Sequence, residues 1–358
     1  MKMRFLFLIA IISALVFAPK TTAAQTKPAL ANATQPAAGQ PVVLDVVVTD
    51  KADRPVGDLK PEDFKVLDNK DARSIAGVRP VAGEDLKADP PTEAILLVDE
   101  INTPFEMMST ERKNLEDFIA QSGGHLAIPT SFFFLSETEL NYQGKPTRDA
   151  KVLLDNLEKN PNPQRSFQLQ GGLQQEVQMR EKSLQALNGL ALKLRDEPGR
   201  KLVIWISPGW QAFSDVTHQK SAQEMQGLFD YIVGISSVLR DARITLYSVD
   251  ARGAARDLAV AGNGYYQEYV KGVSSPKQAD NGDLMLQVIA TQTGGKVVYG
   301  NNNIAKMINQ CLADAQAFYV LNYDAPHATH ANEYHAIQIQ VNKPGLKART
   351  LAGYYAQP

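Results

Sequence analysis

Cysteine is nearly absent from this 358-residue chain, which carries Cys311 alone. A single thiol excludes any internal disulfide, so the folded form must be held by its hydrophobic core. Charge of one sign is also missing. Against 37 Lys and Arg stand 39 Asp and Glu, a formal balance of −2, which offers no electrostatic footing for nucleic acid or an anionic membrane surface. Beyond Ala18 no apolar run approaches the roughly 20 residues that a membrane-spanning helix needs. The signatures H-E-x-x-H and G-x-x-x-x-G-K-[ST] do not occur. Nor does the G-x-S-x-G turn that exposes a nucleophilic serine, because Trp205 stands where Ser207 would need a glycine.

What is present is enough apolar material, 44% of residues, to bury a sizeable core divided into about two domains. Residues 1–24 have the layout of a secretory signal: Lys2 and Arg4, the apolar run Phe5 to Ala18, then Thr21, Thr22, Ala23 and Ala24. Cleavage near Ala24 predicts a secreted or periplasmic product beginning near Gln25. Loss of Lys2, Arg4 and Lys20 takes the formal charge from −2 to −5. No cysteine lies near the cut to carry a lipid anchor. Residues 25–41, rich in Ala, Gln, Pro and Thr, read as a flexible leader.

Order begins at Val42. Residues 42–88 open with clear alternation and place turn chemistry at Asp50 to Arg54 and Asp68 to Asp71, the pattern of a small antiparallel unit. About three strands leave one face bare and the edges open. The complement lies at the other end, in 318–358, where Phe318 to Asp324, Tyr334 to Val341 and Leu346 to Tyr355 are rich in β-branched and aromatic residues around a Pro344-Gly345 turn. The expectation is one discontinuous β-sandwich built from both chain ends.

Residues 92–317 alternate differently. Apolar runs at Ile95 to Asp99, Ala127 to Leu135, Lys201 to Ile206, Ile244 to Val249 and Lys296 to Tyr299 are separated by helical stripes. Those stripes fall at Ser109 to Gln121, Gly172 to Arg195, Ala222 to Leu239 and Leu284 to Gln292. Such alternation predicts an α/β domain with a mostly parallel sheet and helices on both faces. Cys311 falls on a further stripe with Ile304, Ile308 and Ala315, the position of a small buried hydrophobe.

The segment Glu93 to Thr103, EAILLVDEINT, ends an apolar strand in Asp99 followed by Asn102 and Thr103. That places an oxygen cluster at the carboxyl edge of the sheet, where open α/β folds hold ligands and where a hard divalent cation would find its donors. The run resembles the first strand and metal loop of a von Willebrand factor type A (VWA) domain, with Ile101 replacing the first serine of D-x-S-x-S. With Val42 to Asp68, Pro198 to Trp210, Phe318 to Pro326 and Val341 to Ala356, the chain looks like the VWA-related proteins exported by acidobacteria. The resemblance implies a Rossmann-like A domain flanked by β structure, assigned to adhesion or protein interaction, with no catalytic activity.

The same resemblance implies a degenerate metal-ion-dependent adhesion site. Its members would be Asp99, Asn102 and Thr103, then Ser166 in the second loop in place of threonine, and Ser207 in place of the aspartate after the fourth strand. One carboxylate with neutral oxygens holds Mg²⁺ only weakly, since that ion gives up water reluctantly. The competing reading is that Asp99 and Thr103 hydrogen-bond their own loop. No resident cofactor is expected. Adjacent Asp99 and Glu100 point to opposite sides of a strand and would not share a reacting centre. His327, His330 and His335 with Glu333 have zinc-ligand chemistry, yet sit in a connection where solvent-facing polar residues are the rule. Tyr265, Tyr266 and Tyr269, in a long loop after the fifth strand, are candidate contacts for a protein partner. The expectation is an exported interaction or adhesion module, with an envelope spacer as the alternative.

Overall fold

The computed structural model describes residues 34–83, 92–137, 139–160, 172–210, 220–253 and 263–358, with backbone alone at 173 and 263–265. The signal segment, most of the leader, Ser166 and the side chain of Tyr265 therefore lie outside the described residues. Four strands come first: β1 (Pro41–Thr49), β2 (Phe64–Asp68), β3 (Asp71–Arg73) and β4 (Gly77–Ala82). The α/β part follows as β5 (Glu93–Asp99), α1 (Phe105–Gln121), β6 (His125–Leu135), β7 (Leu140–Asp149), α2 (Ala150–Glu158) and α3 (Leu173–Arg195). It continues through β8 (Lys201–Ile206), α4 (Ala222–Asp241), β9 (Ile244–Val249), α5 (Leu286–Gln292), β10 (Val297–Val298) and α6 (Ile304–Leu312). Last come β11 (Ala317–Asp324), β12 (Glu333–Val341), β13 (Lys347–Arg349) and β14 (Gly353–Ala356).

The central sheet has six strands in the order β10-β9-β8-β5-β6-β7. Pairing is parallel from β10 to β6, and β7 closes the edge antiparallel to β6. This is the mostly parallel α/β architecture that the alternation of stripes requires. Because side chains alternate along a strand, odd positions Ile95, Leu97, Phe133, Val203 and Trp205 pack with α3, α4 and α5. Even positions Leu96, Val98, Phe132, Phe134, Ile204 and Ile206 pack with α1, α2 and α6, where Cys311 is fully buried.

The edge strand β7 and helix α2 were not expected. β7 (LNYQGKPTRD) is polar and contains Gly144 and Pro146, so it carries little alternation. It is recruited because β6 would otherwise end the sheet with an open hydrogen-bonding edge. The first helix also begins at Phe105, earlier than Ser109, with Pro104 at its N-cap.

The two chain ends interleave. One four-stranded antiparallel sheet runs β13-β1-β11-β4 and another runs β14-β12-β2-β3. Register pairs Val46 with Tyr319 and Val66 with Ile339. Leu44, Val46 and Tyr319 of the first sheet share one buried cluster with Val66, Ile339 and Tyr354 of the second. No helix among the described residues is long and apolar enough to cross a membrane.

His335 corrects a reading of the sequence. It lies inside β12, not in the connection before it, and is buried with Nδ1 2.7 Å from Asp68 Oδ1. Tyr323 and Tyr354 donate their hydroxyls to Asp68 Oδ2, each at 2.9 Å. His327 and His330 stay exposed. Among the described residues no group of three His, Cys, Asp or Glu could hold a metal ion.

Candidate functional site

Asp99 is the last residue of β5 and is fully buried. The loop after it turns back on the carboxylate. Oδ1 accepts the backbone N–H groups of Ile101 and Asn102, both at 3.0 Å. Oδ2 accepts the Asn102 side-chain amide at 2.7 Å and the Trp205 indole N–H at 2.8 Å. A carboxylate offers about four lone-pair sites, so these donors use its accepting capacity. Burial raises the Asp99 pKa above the ordinary value, and the donors from Asn102 and Trp205 offset only part of that rise.

Each neighbour is itself held. Asn102 donates to the Ser183 hydroxyl at 2.8 Å, and Ser183 donates to the Met179 carbonyl at 2.8 Å. Ser207 follows the end of β8, where its backbone N–H donates to Val249 at 3.0 Å and its hydroxyl accepts the Gly209 N–H at 2.9 Å. Trp210 stacks edge-on against Trp205 with ring centroids 5.4 Å apart and donates to the Leu284 carbonyl at 2.7 Å. Asp99 and Ser207 are 0% exposed and Thr103 is 2% exposed, so none of them can touch a macromolecular partner directly.

On the other face of the strand the arrangement is acidic. Glu100 accepts the Asn160 amide at 3.1 Å. Glu111 of α1 is 3% exposed, and neither of its carboxylate oxygens has a hydrogen-bond partner among the described residues. Burial raises the Glu111 carboxyl well above the usual range, and the nearby charges of Asp99 and Glu100 push it the same way. A cavity of about 20 Å³ lies among Glu100, Glu111, Arg112 and Asn160, room for about one water.

The structure thus brings together Asp99, Asn102, Thr103 and Ser207, with Ser166 outside the described residues. Sequence reasoning missed Trp205, Ser183 and Glu111. Two of them left a readable mark. Ser183 interrupts the buried stripe of Leu187, Leu190 and Leu194, and Glu111 sits in the stripe of Met108, Leu115 and Phe118, slots that helical periodicity reserves for apolar side chains. Trp205 left none, since a tryptophan in a buried strand reads as core.

The residues do not fit a divalent cation well. An ion at Asp99 would have to displace N–H donors, which cannot themselves act as ligands.

Of the tyrosines, Tyr266 and Tyr269 are half-buried. Tyr269 packs over Gly282, and the loop that carries it is tied down where Tyr355 donates to the Val273 carbonyl at 2.9 Å. At the rim of the Asp99 loop, Phe105 is 59% exposed.

No protein-family profile matches the chain, and no curated protein matches it. Among solved structures, the SpRpn10 VWA domain aligns at 9% identity over 62% of this chain and 96% of its own, with a TM-score of 0.30. Manganese-loaded Plasmodium vivax TRAP protein aligns at 10% identity over 80% of this chain and 100% of its own, with a TM-score of 0.33. The PilB minor pilin from Streptococcus sanguinis aligns at 10% identity over 61% of each chain, with a TM-score of 0.31.

Proposed function

We propose that the chain is an exported, non-enzymatic protein-interaction module: a VWA-like domain with a degenerate adhesion site, carried on a β-sandwich built from both chain ends. One observation carries this reading. Donors from β5, β8 and their loops occupy the carboxylate of Asp99, so the site keeps the shape of a ligand loop while its charge is spent internally. Recognition then falls to the exposed rim. Ser207 is buried and its hydroxyl accepts the Gly209 N–H, which leaves it no path to a substrate.

Burial of Asp99, Thr103 and Ser207 decides which substitution is informative. Alanine at those positions would damage folding, whereas Phe105 projects into solvent at the start of α1. The test is co-purification from the source organism's cell envelope with tagged mature chain. Binding predicts a partner recovered by the parent and lost with Phe105→Ala at an unchanged melting temperature. The spacer reading, favoured by burial of the ancestral contact residues, predicts no recovery above the tag control.

A further inference from the structure

The C-terminal ends of α1 and α6 and the first residues of β6 surround a cavity of about 410 Å³, open to solvent. It lies at the amino edge of the parallel sheet, since register sets Asp99 against Leu135, at the far end of β6. That volume falls in the range of small-molecule pockets, about 300–1,000 Å³. Its floor is the outer end of the core between the sheet and α1, α2 and α6. Phe118, Leu126 and Ile128 are buried there, and Leu312 is half-buried.

The polar groups of the lining fall into two sets. The Thr130 hydroxyl donates to the Ile128 carbonyl at 3.0 Å and the Ser122 hydroxyl to the Ile119 carbonyl at 2.7 Å, so both are satisfied within the chain. Gln121, His125, Asn309 and Gln316, by contrast, are exposed at the rim. Three of these are primary amides, each able to donate and to accept. No Lys, Arg, Asp or Glu is among the described residues that line the cavity. An ion seated here would give up water without gaining a counter-charge, whereas an uncharged polar head meets amides of either sense. Apolar walls with a few convergent polar groups are the usual make-up of a small-molecule site.

We propose that this cavity binds an uncharged amphiphile, a molecule with an aliphatic chain and an amide or hydroxyl head. The aliphatic chain lies on Phe118, Leu126, Ile128 and Leu312, and the head meets Gln121, Asn309 and Gln316. The inference is independent of any role for the Asp99 loop at the opposite edge.

The test is calorimetric titration of the mature chain with four probes that share one tail: octanamide, octanol, octanoate and octylammonium, each below its micellar concentration. Saturable binding of octanamide and octanol is expected, with both ions weaker by about tenfold or more. Hexanamide should bind about tenfold weaker than octanamide, from two fewer buried methylenes. Leu312→Gln sets a polar group on the floor and should weaken octanamide by about tenfold. Asn309→Ala combined with Gln316→Ala removes two exposed rim amides and should weaken it by about fivefold. If Leu312→Gln melts well below the parent, the rim pair decides. Absence of saturable binding by either neutral probe, an ion bound as tightly as octanamide, or parent affinity in the folded rim variant would overturn the proposal.

Discussion

Trp205 donates its indole N–H to the Asp99 carboxylate at 2.8 Å from the neighbouring parallel strand. Both groups are fully buried, in low dielectric. Trp205→Phe removes the donor together with one ring of the indole, so the carboxylate loses a bond and a small cavity opens beside it. Urea unfolding should show a loss of about 1–3 kcal/mol. A double-mutant cycle with Asp99→Asn should give a coupling above about 0.5 kcal/mol, and additive losses would show that the contact is not energetically real.

Metal dependence follows from the same carboxylate. A cation bound by the native state alone must raise its melting temperature, and the donors on Asp99 leave it no free lone pair. Melting curves in Mg²⁺, Mn²⁺ and EDTA should therefore superimpose. A midpoint that rises saturably with either ion would contradict the metal-free reading.

Glu111 makes stability depend on pH in a stated direction. Its carboxyl is raised in the folded state by burial first and by the charges of Asp99 and Glu100 next. The folded form thus holds a proton that the unfolded form releases near pH 4.5, and stability falls as pH rises through the window above that value. Glu111→Gln removes this loss, so the variant should gain about 1–2 kcal/mol over the parent at neutral pH. At pH 4 the two chains should unfold at nearly the same urea concentration.

Asp68 works with the opposite sign. Burial raises its pKa, but the bonds from His335, Tyr354 and Tyr323 outweigh burial, and the net shift is downward. The stability it contributes is present above the unfolded pKa near 3.8 and is lost as pH falls through the lower folded value. Asp68→Asn should cost about 3 kcal/mol at pH 7 and flatten the acid limb of the stability curve. An unchanged limb would show that Asp68 is not its source.

Gly272 lies against the Tyr334 ring so closely that a Cβ there would overlap it. Overpacking of this kind costs about 1–3 kcal/mol. Gly272→Ala should therefore lower the melting temperature, and Gly272→Ala with Tyr334→Ala should lose less than the two single changes added together.

Much of the architecture was legible because periodicity is a local property. Val203 and Trp205 on one face and Ile204 and Ile206 on the other mark β8 as buried on both sides, and Asp99 at the end of its strand marks the ligand edge. The polar strand β7 was not legible, since its place depends on the bare edge of β6 and not on its own residues.

What the sequence determined unaided is therefore the alternation of elements, the lack of covalent cross-links and the position of the Asp99 loop. Each is encoded by neighbours along the chain. Tertiary structure alone decided that Trp205 and Ser183 reach that loop, that Glu111 closes its underside, and that His335 turns inward to Asp68. Those pairs are separated by 106, 81 and 267 residues where a hydrogen bond joins Trp205 to Asp99, Ser183 to Asn102 and His335 to Asp68. A carboxylate's role depends on which donors the fold delivers to it, and no local pattern carries that information.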